Sequence, residues 1–188
     1  EGYWADIGTV QTYWATNLAL LDHPTMLDLA DNRWPIRTRA EGRPPAHAGA
    51  QSTIHHALLS DGCEVHGTVI RSVLSPGVIV ETGAVVRDSV IMHDTVIASG
   101  AVVDRCVVDQ EVRIGADAHV GLGADEGDNA MTNRDEPERL NTGLTLVGKA
   151  AHVPAKAVIG RNCRIDPHTA PGDYDRSTVG DGGTVRHH

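Results

Sequence analysis

The sequence predicts a mainly β protein, a parallel β-helix preceded by an N-terminal helical arm. Three observations support this prediction. Short motifs recur at a fixed shift of 17 residues, a six-residue pattern follows them, and aromatic residues make up only 3% of the 188 residues, with no Phe. A core with so few rings has to be filled by Val, Ile, Leu and Ala, which suits thin, regularly stacked strands better than a helical bundle.

The 17-residue repeat is the strongest of these signals. The stretch VETGAVV at residues 80–86 returns as IASGAVV at 97–103 and begins again as IGADA at 114–118. A second motif recurs at the same shift, as SVL at 72–74, SVI at 89–91 and CVV at 106–108. The main rival fold is an antiparallel β-sandwich, whose strands do not repeat their sequence at a fixed spacing. The repeat therefore favours stacked coils.

Toward the C-terminus the period shortens to six residues. Aliphatic residues recur at this spacing and a small residue follows each of them by four, as Val147, Val153, Ile159 and Ile165, and as Ala151, Ala157, Cys163 and Thr169. Three such faces give a coil of about eighteen residues, the signature of parallel β-helices built from hexapeptide repeats. The left hand that we expect is the one that hexapeptide families share. We predict coils over residues 54–169, with buried Val80, Ile97, Ile114, Val147, Val153, Ile159 and Ile165.

Two segments interrupt the pattern and define the predicted organisation. Residues 121–143 are polar and charged, which predicts an excursion from the coil. Residues 171–188 are rich in Gly and Asp without periodicity, which predicts a tail. The chain is therefore divided into an arm with a connector over residues 1–50, a β-helix over 51–170, and the tail.

Composition excludes several classes of protein. The formal net charge of -9 argues against a nucleic-acid binder, which needs a basic surface to release counterions from phosphates. No apolar run has the length of a membrane span, and no basic-then-apolar leader opens the chain. The three cysteines are scattered and lack metal-binding spacing, which indicates reduced core residues of a cytoplasmic protein.

The arm carries apolar residues at helical spacing, namely Val10, Trp14, Leu18 and Leu21. Thr9 is placed to be the N-cap of this helix, and Asp6 precedes it at the end that favours negative charge. A structural role as a helix-end charge is therefore open for Asp6.

A second interpretation of Asp6 comes from its surroundings. The stretch YWADIGT at residues 3–9 resembles the closing motif of the sugar-phosphate nucleotidyltransferase domain. In that family the motif aspartate is a Mg²⁺ ligand at the phosphoryl-transfer site, so the resemblance makes Asp6 both a catalytic residue and a metal ligand. A hard cation prefers carboxylate oxygens and neutralises charge between the attacking phosphate and the leaving pyrophosphate.

The connector indicates which family of sugar-phosphate nucleotidyltransferases the chain resembles. The stretch WPIRT at residues 34–38, PPA at 44–46 and the hexad coils together resemble bacterial ADP-glucose pyrophosphorylase, also called glucose-1-phosphate adenylyltransferase, from end to end of the chain. Mannose-1-phosphate guanylyltransferases share the first motif but not typically this connector. The resemblance implies a C-terminal regulatory and oligomerisation part, with residues 1–50 as the end of the nucleotidyltransferase domain and the connector. It also implies a homo-oligomer formed through the β-helix.

One large departure from the family concerns activity. The family joins glucose 1-phosphate to ATP with Mg²⁺, releasing pyrophosphate and making ADP-glucose for glycogen. Its nucleotide-binding half, with a Gly-rich loop and a second Mg²⁺-binding aspartate, is missing from these 188 residues. We therefore expect the chain alone to be inactive and its missing domain to be its main partner.

Four arginines in the connector form a candidate site for an anionic effector. Arg33, Arg37, Arg39 and Arg43, with only Glu41 among them, give a local charge of +3 (four minus one). Arginine forks suit phosphate oxygens, and the resembled family binds sugar-phosphate effectors where its two domains meet. The alternative is that these arginines pair with acids of the missing domain or are solvated. Many relatives have Lys in place of His47 and a basic residue in place of Gln110, so the effector is expected to differ or to bind more weakly.

Two other functions remain open on sequence alone. Left-handed β-helices often belong to acyltransferases with a histidine base at a subunit interface. The candidates are His55, His56, His66, His93, His119, His152 and His168. That interpretation leaves the arm unexplained. The other alternative is a non-catalytic scaffold subunit.

Overall fold

A computed structural model of the protein describes residues 4–22, 29, 31, 33, 42–122 and 131–188. In these ranges it has one α-helix, α1 (Val10–Asp22), and one 3-10 helix (Pro171–Asp173), and no helix there is long and apolar enough to cross a membrane. The strands are β1 (His47–Ala48), β2 (Thr53–His55), β3 (Leu58–Leu59), β4 (Glu64–Val65), β5 (Thr68–Ile70), β6 (Val73–Leu74), β7 (Ile79–Val80), β8 (Val85–Arg87), β9 (Val90–Ile91), β10 (Val96–Ile97), β11 (Val102–Asp104), β12 (Cys106–Val108), β13 (Arg113–Ile114), β14 (His119–Leu122), β15 (Thr145–Val147), β16 (His152–Val153), β17 (Val158–Gly160), β18 (Arg164–Ile165), β19 (Thr178–Val179) and β20 (Thr184–Val185).

The strands form three sheets that run along a solenoid. Sheet A has the order β1-β4-β7-β10-β13-β16, sheet B the order β19-β17-β14-β11-β8-β5-β2, and sheet C the order β20-β18-β15-β12-β9-β6-β3. Every strand pairing in the described ranges is parallel. Val80 pairs with Ile97, and Ile97 with Ile114, so the pairing register is the 17-residue repeat. The β-helix is confirmed and the antiparallel sandwich is excluded.

The core is a column of aliphatic side chains inside the coils. All seven residues predicted to be buried have at most 2% of their surface exposed: Val80, Ile97, Ile114, Val147, Val153, Ile159 and Ile165. One side chain from each strand of the inner coils faces this column, as Val65, Val80 and Ile97 do on β4, β7 and β10, and its burial is the main stabilising term of such a fold. The strands begin at His47 and end at Val185, so the solenoid is longer than the predicted range of 54–169.

The corner between sheets B and C repeats a left-handed backbone conformation at residues that are not glycine. The φ angle lies between 43° and 54° at His56, Arg71, Asp88, Arg105 and Asn162. Such angles are unfavourable for residues with a Cβ atom, so the stacked coils impose them. The corner amides bond to the coil before, for example from Arg71 N to the His55 carbonyl at 3.0 Å.

Small polar residues at the start of the sheet C strands explain the repeated serines. The amide of Ser89 donates to Ser72 Oγ at 3.1 Å, and the amide of Cys106 donates to Ser89 Oγ at 3.0 Å. The amide of Cys163 donates to Thr145 Oγ1 at 3.3 Å two coils further on. These side chains satisfy buried backbone donors at a corner, where the regular ladder is interrupted.

The predicted excursion leaves and rejoins the solenoid at this same corner. Residues 123–130 lie outside the described ranges, but the stretch from 131 to 143 packs onto the later coils. Asn133 is fully buried and donates to the Asn162 carbonyl at 3.0 Å, while the amide of Gly143 donates to Asn162 Oδ1 at 2.7 Å. At the exit, a Cβ atom on Gly121 would lie 2.0 Å from the Asp104 carbonyl oxygen, so only glycine fits there.

The C-terminal segment differs from the predicted tail. Strand β19 pairs with β17 and strand β20 pairs with β18, so residues 171–188 add two more strands to the solenoid. Tyr174 packs against the core, and Val185 is 6% exposed. The glycines that suggested a loose tail instead shape a corner, where Gly182 has a φ of 69°. The six-residue pattern is absent here because the 3-10 helix takes the place of a strand of sheet A in this last coil.

Candidate functional site

Helix α1 covers the outer face of sheet C. Its residues Trp14 and Leu18 are 7% and 1% exposed, and they pack with Val73, Val90 and Val107. These valines lie on β6, β9 and β12 and face away from the solenoid core, in a separate apolar cluster. Burial of apolar surface contributes on the order of 25 cal/mol per Å². Burying the side chain of a tryptophan against such a face therefore contributes several kcal/mol. The arm is therefore packed as an integral part of the β-helix.

The N-terminus of helix α1 is capped as predicted. The amide of Thr12 donates to Thr9 Oγ1 at 3.0 Å, and the amide of Thr9 donates to Thr12 Oγ1 at 3.0 Å. This reciprocal pair satisfies two backbone donors and confirms Thr9 as the N-cap. It also fixes the direction in which the chain enters the helix from the Asp6 motif.

The other end of the helix is held by charged residues of the first coils. Asp22 Oδ1 lies 2.9 Å from His56 Nε2, and Asp22 Oδ2 lies 3.6 Å from Arg71 Nη2. The hydrogen bond from His56, and next the charge of Arg71, hold the pKa of Asp22 below its usual range. Arg71 also pairs with Asp88, whose carbonyl accepts a hydrogen bond from Trp14 Nε1 at 2.7 Å.

The length of helix α1 matches the distance from the first to the fifth of the stacked coils. From Asp22 to Val10 the axis rises about 18 Å, at roughly 1.5 Å per residue. Asp22 binds His56 of the first coil, and Val10 belongs to the same apolar cluster as Leu146 of the fifth coil; four spacings of about 4.8 Å give about 19 Å. Asp22 therefore reaches His56, while Val10 lies beside the same cleft as Leu146 of β15.

A cleft of about 940 Å³ opens between the start of helix α1 and the segment that rejoins the solenoid. Its floor is apolar and comes from the outer face of sheet C and from the helix. Its walls are Ile7–Gly8–Thr9 on one side and residues 138, 139, 141 and 142 on the other, with the corner 164–167 below. Val10, Tyr13, Met92, Val107 and Leu146 form the apolar floor.

Charged side chains around the cleft are largely paired with one another. Arg164 Nε lies 2.8 Å from Asp166 Oδ1, and Arg164 Nη1 lies 3.4 Å from Glu136 Oε1. Arg139 is 83% exposed at its side chain and lies 3.9 Å from Glu136, a distance at which a surface pair contributes little. Asp109 lines the same cleft. The cleft therefore combines an apolar floor with a rim of mixed charge.

Asp6 directly precedes Ile7, Gly8 and Thr9, which line the cleft, but it is not itself one of the lining residues. Its side chain is exposed, and both carboxylate oxygens would lie 3.9 Å from a Cβ atom on Gly8. Within the described ranges no group of three or more His, Cys, Asp or Glu side chains is placed to hold a metal ion. Asp6 thus fits a hard cation such as Mg²⁺ as one carboxylate ligand, and the remaining ligands have to come from elsewhere. Its catalytic role stays a prediction.

The connector arginines are only partly described. Arg37 and Arg39 lie outside the described residues. Arg33 forms a fork with Asp31, with Nε–Oδ1 and Nη2–Oδ2 distances of 3.0 Å, and its side chain is 91% exposed. Arg43 Nη2 donates to Asp94 Oδ2 at 2.9 Å, against the corner between sheets C and A. Two of the four thus pair with carboxylates of this chain, and the effector site stays a prediction.

The histidines considered for an acyltransferase lie at corners or on outer faces. None of His55, His56, His66, His93, His119, His152 and His168 is among the buried residues. His119, on the outer face of sheet B, is half-buried, and burial together with Arg161 and Arg87 lowers its pKa, against the opposing effect of Asp104. This environment favours the neutral imidazole.

Sequence reasoning did not find the cleft or the pairs that anchor the helix. The available signal was the corner column Arg71, Asp88 and Arg105, in which charge alternates at the 17-residue shift. Residues 17 apart lie on adjacent coils, so this alternation predicts a row of ion pairs along one edge. Trp14 and Asp22 bind along that edge.

Residues 44–137, half of the chain, match the family model described as GlmU-like, C-terminal hexapeptide. The glucose-1-phosphate adenylyltransferase of Thermomicrobium roseum is 53% identical over 209 residues, covering 98% of this chain and 42% of that protein. Proteins of the same name from Acetivibrio thermocellus and Pseudothermotoga lettingae are 34% and 39% identical, covering 93% and 100% of this chain and 40% and 43% of their own length. The chain therefore spans about two-fifths of these relatives.

Among solved structures, the acetyltransferase domain of PglB from Neisseria gonorrhoeae FA1090 is 18% identical with a TM-score of 0.44, covering 77% of this chain and 51% of that chain. This likeness is too low to support a conclusion.

Proposed function

Because the chain belongs to the family of GlmU-like C-terminal hexapeptide proteins, we propose that it is the C-terminal regulatory and oligomerisation part of a glucose-1-phosphate adenylyltransferase. The observation that carries this proposal is the match to the Thermomicrobium roseum enzyme at 53% identity over 98% of the chain. The hexapeptide family also supports the left hand of the β-helix. The names of the relatives favour this function over an acyltransferase or a scaffold subunit.

The proposed reaction joins ATP and glucose 1-phosphate into ADP-glucose and pyrophosphate. An oxygen of the sugar phosphate attacks the α-phosphorus of ATP, and the bond to the leaving pyrophosphate breaks. Mg²⁺, when bound, neutralises the phosphate charge. In this proposal Asp6, whose side chain is exposed ahead of helix α1, supplies one carboxylate to that ion. We place the nucleotide site in the part of the enzyme that this chain does not span, about three-fifths of the relatives' length, so the chain alone is expected to be inactive.

The regulatory part of the proposal concerns the connector. Arg33, Arg37, Arg39 and Arg43 would bind an anionic sugar-phosphate effector at the boundary between the arm and the first coil. One observation supports it: the arginines are dense in a chain of net charge -9. The pairing of Arg33 with Asp31 costs little to break, because the guanidinium is exposed.

We further propose that the protein forms a homo-oligomer through the β-helix and is located in the cytoplasm. Within the described ranges helix α1 covers only sheet C, and the outer face of sheet B carries half-buried Val85, Val102 and Val158. This face suits a homo-oligomer formed through the β-helix. The three cysteines are free and buried, which fits a reducing compartment such as the cytoplasm.

A chimaera tests the proposed function. The first three-fifths of the Thermomicrobium roseum relative would be joined to this chain ahead of the Asp6 motif, and pyrophosphate release would be measured with ATP, Mg²⁺ and glucose 1-phosphate. The proposal predicts turnover by the chimaera and none by the 188-residue chain. A folded chimaera without activity, or turnover by the isolated chain, would contradict it.

A further inference from the structure

Arg105 lies between the helical arm and the segment that rejoins the solenoid. It occupies the corner between sheets B and C, with a φ of 53°. Its guanidinium carbon lies 5.1 Å from the ring centroid of Trp14, and its Nη2 donates to the Thr142 carbonyl at 3.2 Å. One side chain thus contacts the helix on one side and the returning segment on the other.

The packing around Arg105 leaves it little freedom. Its Nε is buried and has no hydrogen-bond partner within the described residues. A Cβ atom on Gly143 would lie 3.4 Å from that Nε, so the returning backbone passes directly over the side chain. Trp14 in turn is held by the Asp88 carbonyl at 2.7 Å. A shift of either neighbour therefore has to displace the guanidinium.

The two segments that Arg105 contacts are also the two walls of the cleft. The start of helix α1 lines one side, and Asn141 and Thr142 line the other. Leu140 and Leu144, which flank that wall, are buried in the same apolar cluster as Trp14. Arg105 itself lies behind the cleft, because it is not one of the lining residues.

We propose that Arg105 couples helix α1 to segment 131–144, so that the two walls of the cleft open and close as one cooperative unit. The planar guanidinium is suited to this because it can stack on an indole and donate to a carbonyl at the same time. A ligand that displaces one wall of the cleft would then also destabilise the packing of the other wall. This inference does not depend on the reaction proposed above.

Hydrogen exchange on the 188-residue chain tests the coupling, with Arg105→Met as the perturbation. Methionine is unbranched like arginine, so the strain of the positive φ is retained, while the stack and the hydrogen bond are lost. We expect amide exchange to become about tenfold faster both in Val10–Trp14 and in 140–146. Sheet A, on the far side of the solenoid, serves as an internal reference and should be unchanged.

Arg113→Met is the matched control, because Arg113 is exposed on β13 of sheet A. Arg105→Lys, which keeps the charge and the stem, gives a second variant should the methionine variant not fold, and it is expected to show a smaller effect in the same two segments. Faster exchange in only one segment, unchanged exchange in both, or the same change in the Arg113 control would overturn the coupling.

Discussion

Arg161 and Asp104 form an ion pair inside the corner from which the excursion leaves, although 57 residues separate them in the chain. Arg161 Nη2 lies 3.0 Å from Asp104 Oδ2, Arg161 Nη1 donates to the Asp104 carbonyl at 2.9 Å, and the two side chains are 2% and 4% exposed. The pair fills the place where the regular coil is interrupted between β14 and β15. It therefore joins the coils before and after the excursion.

Removing this arginine should destabilise the solenoid strongly. Arg161→Met leaves the buried Asp104 carboxylate with less compensation, and we expect the free energy of unfolding to fall by about 3 kcal/mol. Arg87→Met is the control, since Arg87 also reaches Asp104, at 2.7 Å, but is 46% exposed and should cost about 1 kcal/mol or less. Urea denaturation measures both, and equal losses in the two variants would contradict the assignment.

The docking of the arm can be measured with two tryptophans. Trp14→Ala should lower the free energy of unfolding by about 3–5 kcal/mol, because it removes the largest side chain of the cluster on sheet C. Trp4 is 82% exposed, so Trp4→Ala should change it by about 0.5 kcal/mol or less. Denaturation followed by circular dichroism distinguishes them. A small effect of Trp14→Ala would mean that the arm adds little to the stability of the solenoid.

The ion pairs of Asp22 predict an acid dependence of stability. His56 and Arg71 lower the pKa of the Asp22 carboxyl in the folded state. Such a group contributes stability above its ordinary pKa of about 3.9, and the contribution is lost as the pH falls through the lowered folded value. Asp22→Asn should therefore be less stable than the wild type near neutral pH and should lose less stability on acidification. Parallel acid profiles of the two proteins would rule out this contribution.

The architecture could be predicted from the sequence because residues of the same type recur at the period of the coil. Each inward position of the column, such as Val80 or Ile97, recurs at the pairing register itself. The N-cap at Thr9 was predictable for a similar reason, since capping depends on residues within one turn of each other.

Contacts between distant parts of the chain could not be predicted in this way. The Arg161–Asp104 pair depends on where the excursion returns, and no periodic signal encodes that point. The tail was misjudged because Tyr174 and a 3-10 helix close one face without an aliphatic hexad. The cleft was missed because it forms between the arm and the returning segment, which no local pattern relates.

If the connector arginines bind an anionic effector, sugar phosphates should bind to the chimaera and bind less well when these arginines are replaced. Calorimetric titration at low salt with fructose 1,6-bisphosphate and fructose 6-phosphate should give heat with the chimaera, and less with an Arg37→Ala, Arg39→Ala double variant. Charge-assisted hydrogen bonds to phosphate contribute on the order of 1.5–3 kcal/mol each, so the loss should be at least about tenfold in affinity. Equal heats from both proteins would leave these arginines as surface or interface charges.

We propose that this chain supplies the Asp6 motif and the β-helix of a nucleotidyltransferase, and pyrophosphate release by the chimaera carrying Asp6→Asn measures this contribution. This variant should lose most of its turnover while its fold and thermal stability are unchanged. Asp117→Asn, at an exposed corner remote from the arm, should keep the activity of the parent chimaera. Near-normal turnover with Asp6→Asn would rule out a catalytic role for Asp6 and leave it as a charge at the end of helix α1.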